Sequence, residues 1–223
     1  MSKPSWSYTS INQFVNCPRQ YQLLRVTKEV KQTESEEMKW GNTVHKHLEN
    51  RVKEDTPLPA SLSHLEGLVR KLTAQEGNVF TEQQMAINAD FEPVTWFDRK
   101  AWCRGIVDVG VKRGKLFWVG DYKTGKRRPD SDQLMLFAAL VMHHNPEVDT
   151  VKTSFIWLKD RSMDTERYTR EQLPEIWQHF MPKITRLEKA YDNDKWPAKP
   201  SGLCGWCPVT KSHCEFSKKE RKD

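Results

Sequence analysis

The chain has 223 residues, with 36 Lys or Arg against 30 Asp or Glu and a net charge of +6. That length suits one sizeable core, or a core plus a small appendage. No stretch approaches the roughly 20 apolar residues of a membrane-spanning helix, and the basic excess fits a phosphate-rich partner as readily as a plain soluble surface.

The N-terminal Met-Ser-Lys-Pro-Ser-Trp-Ser-Tyr lacks the apolar run of a secretory signal. The expectation is therefore a cytoplasmic, intracellular protein, encoded by a cell or a virus. Five cysteines in such a chain point to metal or redox chemistry more than to disulfides.

The first predicted element is a helix over 9–25, with Ile11, Phe14, Val15, Tyr21 and Leu24 as apolar positions and Thr9 or Ser10 as N-cap. A second helix covers 36–54, where Trp40, Val44, Leu48 and Val52 recur every four residues. Asp55-Thr-Pro-Leu-Pro breaks it, and a third helix follows over 61–76. Strands are expected at 79–88, 91–97, 101–111 and 115–122. A basic loop then leads to an apolar helix that starts at Asp130 or Ser131 and ends near His143. A strand over 150–158 follows. Thr169-Arg-Glu-Gln172 fits a capping box before a long helix to about Tyr191, with Pro174 near its start and Pro182 inside it. The order of elements predicts an α/β or α+β core, residues 1–195, and a cysteine-rich metal-bound appendage, residues 196–223.

The strands at 101–111 and 115–122 carry the first chemical signal. They read Gly105-Ile-Val-Asp108-Val and Leu116-Phe-Trp-Val-Gly120-Asp121-Tyr122-Lys123. Residues i and i+2 of a strand share a face, so Asp121 and Lys123 point the same way, and a hairpin can bring Asp108 to them. Two acids and a lysine can hold a divalent metal and orient a water for attack on a phosphodiester. Asp108 among Ile106, Val107 and Val109 is costly unless paired or metal-bound. On the 36–54 helix, His45 shares an inward face with Gly41, Leu48 and Val52. Gln133 and Phe137, four apart on a later helix, also share a face.

The tail carries the second signal. Cys204-Gly-Trp-Cys207 is followed by Cys214, three thiolates that need a fourth ligand from Cys17, Cys103 or His213. Spacing alone does not choose between zinc and a 4Fe–4S cluster, with a slight lean to zinc. Cys103, on the strand leading to Asp108, reads as a small buried thiol. Lys126, Arg127 and Arg128 follow the acid–lysine strand and could contact phosphate. Trp6, Trp102, Trp118, Trp157 and Trp177 read as core, and Trp206 as a cover for the tail metal or a base-stacking residue.

Taken in order, these pieces resemble the RecB-type branch of the PD-(D/E)xK nuclease superfamily. They are Ser10-Ile-Asn-Gln-Phe-Val-Asn-Cys17-Pro-Arg-Gln-Tyr21, Gly41-x-x-x-His45, Gly105-x-x-Asp108, Gly120-Asp121-x-Lys123-Thr-Gly and Gln133-x-x-x-Phe137. The resemblance implies a restriction-endonuclease-like mixed sheet flanked by helices. It implies His45, Asp108, Asp121 and the Tyr122 carbonyl as Mg²⁺ or Mn²⁺ ligands, Lys123 as catalytic lysine and Gln133 as the motif glutamine. Glu82 is a further candidate acid. The family usually has tyrosine where Phe137 stands, so any role for that hydroxyl is lost. Relatives with a cluster, the AddB-type and CRISPR-associated exonucleases, place one cysteine before the core and three after it. By that likeness Cys17, Cys204, Cys207 and Cys214 hold 4Fe–4S. The implied activity is a DNA exonuclease acting on single strands or ends, in recombination, repair or processing. Its rivals are an endonuclease using the same site and a DNA-binding module with a structural zinc or cluster and no cleavage.

Overall fold

The computed structural model describes residues 4–32, 34–127 and 131–220. The chain divides into two compact units, 35–177 and a second formed by 1–34 with 178–223.

The larger unit is built on a six-stranded mixed sheet, in the order β2-β1-β3-β4-β5-β6. Its strands are β1 (Asn78–Ile87), β2 (Pro93–Val94), β3 (Cys103–Arg113), β4 (Leu116–Lys123), β5 (Thr150–Trp157) and β6 (Ser162–Thr169). All neighbours are antiparallel except β4 and β5. That parallel pair needs a crossover, which α5 (Asp132–His144) supplies. α3 (Glu36–Glu54) and α4 (Glu66–Thr73) complete the unit, with a 3₁₀ segment at Ala60–Leu65 between them.

The two faces of the sheet are covered differently. Val44 and Leu48 of α3 pack with Leu65, Val69 and Leu72, and against Val109, Tyr122 and Ile156 of the sheet. α5 is buried from Leu134 to Met142 almost all round, as expected of a crossover helix under a sheet. One guanidinium ties its C-terminal end to the loop that follows: Arg170 donates to Met142 O in the last turn at 3.1 Å, to the C-cap Asn145 O at 2.7 Å and to Val148 O in the loop at 2.6 Å.

Several expectations change. The strand expected at 91–97 shrinks to two residues, because Asn88 Oδ1 accepts the N–H groups of Asp90 and Glu92 and turns the chain. β6 is an unpredicted strand; its burial alternates, but Met163 and Tyr168 are its only large apolar residues. The third helix begins as a 3₁₀ turn and ends at Thr73, not 76. The capping box at Thr169 forms, with the Thr169 N–H donating to Gln172 Oε1 at 2.8 Å, and α6 (Leu173–Asn193) runs on through Pro182.

In the smaller unit the helix expected over 9–25 is broken. α1 (Tyr8–Asn16) ends at Cys17, and α2 (Pro18–Tyr21) starts beyond it and runs into a π-helical turn, Gln22–Val26. Proline disfavours helical geometry in the residue before it and suits the first helical position itself, so Cys17 is extended, with φ −159°. The N-cap is Ser7 rather than Thr9 or Ser10; the Ser7 N–H donates to Ser10 Oγ at 2.8 Å. The tail is tied to these helices. Arg19 donates to His213 O at 3.2 Å, Lys199 to Val15 O at 3.0 Å, and Tyr21 stacks on Trp196 with centroids 5.9 Å apart.

Gly120 on β4 has no room for a side chain. A Cβ there would lie 2.5 Å from the Trp118 ring, 2.8 Å from Ile156 Cδ1 and 2.9 Å from Val109 Cγ1. Gly120→Ala is expected to lower unfolding stability by about 1–3 kcal/mol, read from the midpoint of chemical denaturation. An unchanged midpoint would contradict this packing.

Candidate active site

Asp108 stands where two strands part. β3 and β4 pair from Arg113↔Leu116 to Val109↔Gly120 and no further, although β4 continues to Lys123. Just beyond the last pair, Asp108 Oδ2 accepts the Tyr122 N–H at 2.8 Å, a side chain standing in for a ladder carbonyl. On its other side β3 pairs with β1 at Thr81↔Val109 and Gln83↔Val107, which leaves Glu82 opposite Asp108 and outside the ladder. Glu82 has φ +47°, a left-handed conformation costly for a residue with a side chain.

The strand pleat reverses at this place. A Cβ on Gly105 would meet Leu140 and Phe137 of α5, whereas Val109 packs with Val44 and Leu48 of α3. In a regular strand 105 and 109 would share a face. The irregularity turns the Asp108 and Glu82 carboxylates toward one another and toward His45. One ligand atom from each of the three lies within 4.8 Å of the others.

His45 comes from α3. Its Nε2 is 2.9 Å from the Tyr122 carbonyl oxygen, and its Nδ1 is 3.4 Å from Asp108 Oδ2. Gly41, one turn earlier, brings α3 close to the loop after β4; a Cβ on it would lie 3.2 Å from Thr124 Oγ1. Adjacent ligands of an octahedral ion with bonds of about 2.1 Å are roughly 3 Å apart, and opposite ones about 4.2 Å. Asp108 lies near the adjacent spacing from His45 Nδ1, whereas the Tyr122 carbonyl lies by the other ring nitrogen, Nε2, so one ion can share only one of these two pairs with His45; carboxylate and carbonyl donors suit Mg²⁺ or Mn²⁺.

A second set of contacts fixes the other half of the site. Lys123 Nζ lies 2.5 Å from Asp121 Oδ2 and donates to Gln133 Oε1 at 2.9 Å. Gln133 Nε2 donates to Asp121 Oδ1 at 2.9 Å. The lysine ammonium also sits 4.9 Å from the centroid of the Phe155 ring. Phe137, one turn after Gln133, is buried against Gly105.

The site is short of positive charge. Burial, and then the Asp108 carboxylate, push the Asp121 carboxyl up to about 6, with Lys123 and His45 offsetting part of the shift. Burial followed by Asp108 and Glu49 raises Glu82. Burial acts to lower His45, but Asp108 and Asp121 more than offset it and leave that imidazole raised. Such a cluster holds protons until a cation replaces them.

The structure thus forms two adjoining sets, His45 with Asp108 and the Tyr122 carbonyl, and Asp121 with Lys123 and Gln133; Asp121 is not among the three residues whose ligand atoms cluster. It adds Glu82 on equal terms with His45 and Asp108. The sequence signal for Glu82 is a polar run, Thr81-Glu82-Gln83-Gln84, in a strand; its backbone conformation is not readable there. Of the basic loop, Lys126 is exposed, Arg127 is paired with Asp164 (Nε to Oδ2, 2.8 Å), and Arg128 lies outside the described residues.

In the smaller unit Cys17, Cys204, Cys207 and Cys214 all line one cavity, together with Asn16, Gln20, Ser201 and Phe216. All four are free thiols, and Gln20 Nε2 donates to Cys207 Sγ at 3.2 Å. His213 is not part of the cavity lining; its Nδ1 is taken up by the hydroxyls of Thr210 and Ser212, at 3.2 and 3.0 Å. Cys103 is fully buried in β3, where burial pushes its thiol well up. Of the core tryptophans, Trp6, Trp157 and Trp177 are buried and Trp102 and Trp118 half-buried, while Trp206 is 85% exposed.

A sequence profile of the PD-(D/E)XK nuclease superfamily matches residues 5–215. No curated protein matches the chain by sequence. Among solved structures, a candidate exonuclease from Eubacterium rectale is similar over 98% of this chain and 90% of its own, with a TM-score of 0.56 and 11% identity. The protein SSO0001 is similar over 100% of this chain and 90% of its own, with a TM-score of 0.50 and 14% identity. At such identities the likeness is one of fold. Among the described residues no helix is long and apolar enough to cross a membrane.

The raised groups set a pH dependence. Asp121 titrates at about 6 when folded and near 3.9 when unfolded, so without metal its ionisation erodes stability as pH rises from about 4 to 6. His45 adds stability below its unfolded pKa of about 6.5, which is lost as pH climbs through its raised folded value. A bound divalent ion reverses both terms. Mn²⁺ is therefore expected to raise the melting temperature more at pH 8 than at pH 5.5, by differential scanning fluorimetry against a chelated control. A pH-independent shift would contradict this charge balance.

Proposed function

Because the chain belongs to the PD-(D/E)XK nuclease superfamily, a group of divalent-metal-dependent nucleases, we propose that it is a DNA exonuclease acting on single strands or ends. The observation that carries this reading is the meeting of Asp108, Asp121, Lys123 and His45 at the parting of β3 and β4.

His45, Asp108, Asp121 and the Tyr122 carbonyl would hold Mg²⁺ or Mn²⁺, with Glu82 as an added acid. Such an ion lowers the pKa of a bound water and neutralises charge on the phosphoryl oxygens. The rest falls to the chain's own groups. Lys123 presents an ammonium, held by Asp121 and Gln133, that can orient the attacking water or meet charge developing on the phosphate. Gln133 acts as a positioning residue, its amide fixing Asp121 and Lys123 relative to each other. The Asp108 carboxylate, by holding the Tyr122 N–H, aims the Tyr122 carbonyl at His45. Lys126, which is exposed, would contact a phosphate directly, and Arg127 would exchange Asp164 for one.

The same reading gives Cys17, Cys204, Cys207 and Cys214 to a 4Fe–4S cluster that ties both ends of the chain together, with residues 196–223 as its appendage. Support comes from four free thiols on one cavity whose lining does not include His213. Zinc in the same four thiolates is the competing occupant. In biological terms the enzyme would serve DNA recombination, repair or processing.

Asp121→Asn and Lys123→Ala are expected to reduce Mg²⁺- or Mn²⁺-dependent cleavage of end-labelled DNA by about a hundredfold or more, with circular dichroism unchanged. Wild-type rates in both variants would overturn the site. Circular single strands should resist cleavage while linear ones are degraded; equal cleavage would make the enzyme an endonuclease. For the tail, protein prepared without oxygen should carry iron and a broad visible absorption. Cys17→Ala should lose both and Cys103→Ala keep them. Colourless, zinc-loaded protein would refute the cluster.

A further inference from the structure

An apolar rim borders the candidate metal site. Trp40 and Met38, at the start of α3, are 49% and 44% exposed, and Ile106, two residues before Asp108, is 37% exposed. Helical geometry relates them to the site. At 100° per residue, Trp40 continues the stripe of Val44 and Leu48, while Met38 continues that of Gly41 and His45. Val44 and Leu48 are in the core, and His45 faces Asp108. The next turn of both stripes therefore overhangs the end of the sheet, beside the Gly41–Thr124 approach. Trp40 stands five residues from His45, about 7.5 Å along the helix axis and about 140° around it, so the two side chains are a nucleotide or more apart.

A large exposed indole is uncommon on a soluble surface, and here it is carried by the helix that brings His45 to Asp108. Polynucleotide single strands present phosphates and flat bases at that spacing, and aromatic side chains take such bases without regard to sequence. We propose that Trp40, with Met38 beside it, is the platform on which one base of a single-stranded DNA substrate stacks while a neighbouring phosphate lies at the Asp108–Asp121 centre. The proposal rests on the nuclease reading above and gives it a substrate preference. Duplex ends must unpair to reach the platform, so single strands are the better substrate.

The test uses fluorescence anisotropy of a labelled oligothymidylate and of a strand of equal length lacking bases. Both are titrated with full-length Asp121→Asn protein, with and without Trp40→Ala. Trp40→Ala is expected to weaken binding of the normal strand about tenfold, the size of one base–aromatic stack, and to leave binding of the abasic strand unchanged. Trp40→Phe should restore most of the affinity. In otherwise wild-type enzyme, with Asp121 unaltered, the Trp40→Ala loss should appear in KM rather than kcat. Equal losses on both strands, or no loss on either, would overturn the platform; the first would make Trp40 a packing residue and the second an interface for another macromolecule. Wild-type protein that cleaves no DNA would sink the nuclease reading, while the anisotropy contrast would still decide the platform.

Discussion

One hydrogen bond organises this molecule's chemistry: the Asp108 carboxylate taking the Tyr122 N–H where β3 and β4 separate. A carboxylate buried to within 9% of full exclusion is costly, and a charge-assisted bond worth about 1.5–3 kcal/mol offsets part of that. Its position matters more than its strength. By holding Tyr122 from the β3 side, it keeps the Tyr122 ring in the core with Val44 and Leu48 and turns the Tyr122 carbonyl to His45. The gap between the strands, the seating of α3 and two proposed ligands all follow from it.

The second half of the site depends on α5. Asp121 and Lys123 face that helix, while Tyr122 between them faces α3. The site thus lies at the sheet's end, where residues from both faces can converge. α5 is held firmly enough to serve. It is apolar nearly all round, crosses between two parallel strands, and has its last turn and the loop after it tied together by Arg170. Gln133 in its first turn therefore meets Asp121 and Lys123 from a fixed base, as an orienting residue must.

Much of this was readable in the residues. The α3 boundaries, the β3–β4 hairpin and the α5 crossover follow from four-residue and two-residue periodicity and from plain turn chemistry. Asp108 stood out because a carboxylate in an apolar strand needs a reason. What could not be read has physical causes. β6 is an edge strand whose polar residues carry little period-two contrast. The break at Cys17 is a proline effect overriding apolar periodicity. Glu82 was named only as a further acid, because the backbone conformation that sets it beside His45 and Asp108 is announced by no side-chain pattern. The Arg127–Asp164 pair joins residues far apart in sequence, and only the strand order brings them together.

Glu82 has one further consequence. Its left-handed backbone is a conformation glycine adopts freely and glutamate does not. Its carboxylate also repels Asp108 and Glu49. In the absence of metal, both features make position 82 a local weak point, where a smaller, neutral residue would be welcome. Selection for thermal resilience and selection for turnover would therefore pull this one residue in opposite directions. A stability screen with no activity readout would be drawn to position 82, and the variants it rewarded would be those that lose one of the three groups of the proposed metal site.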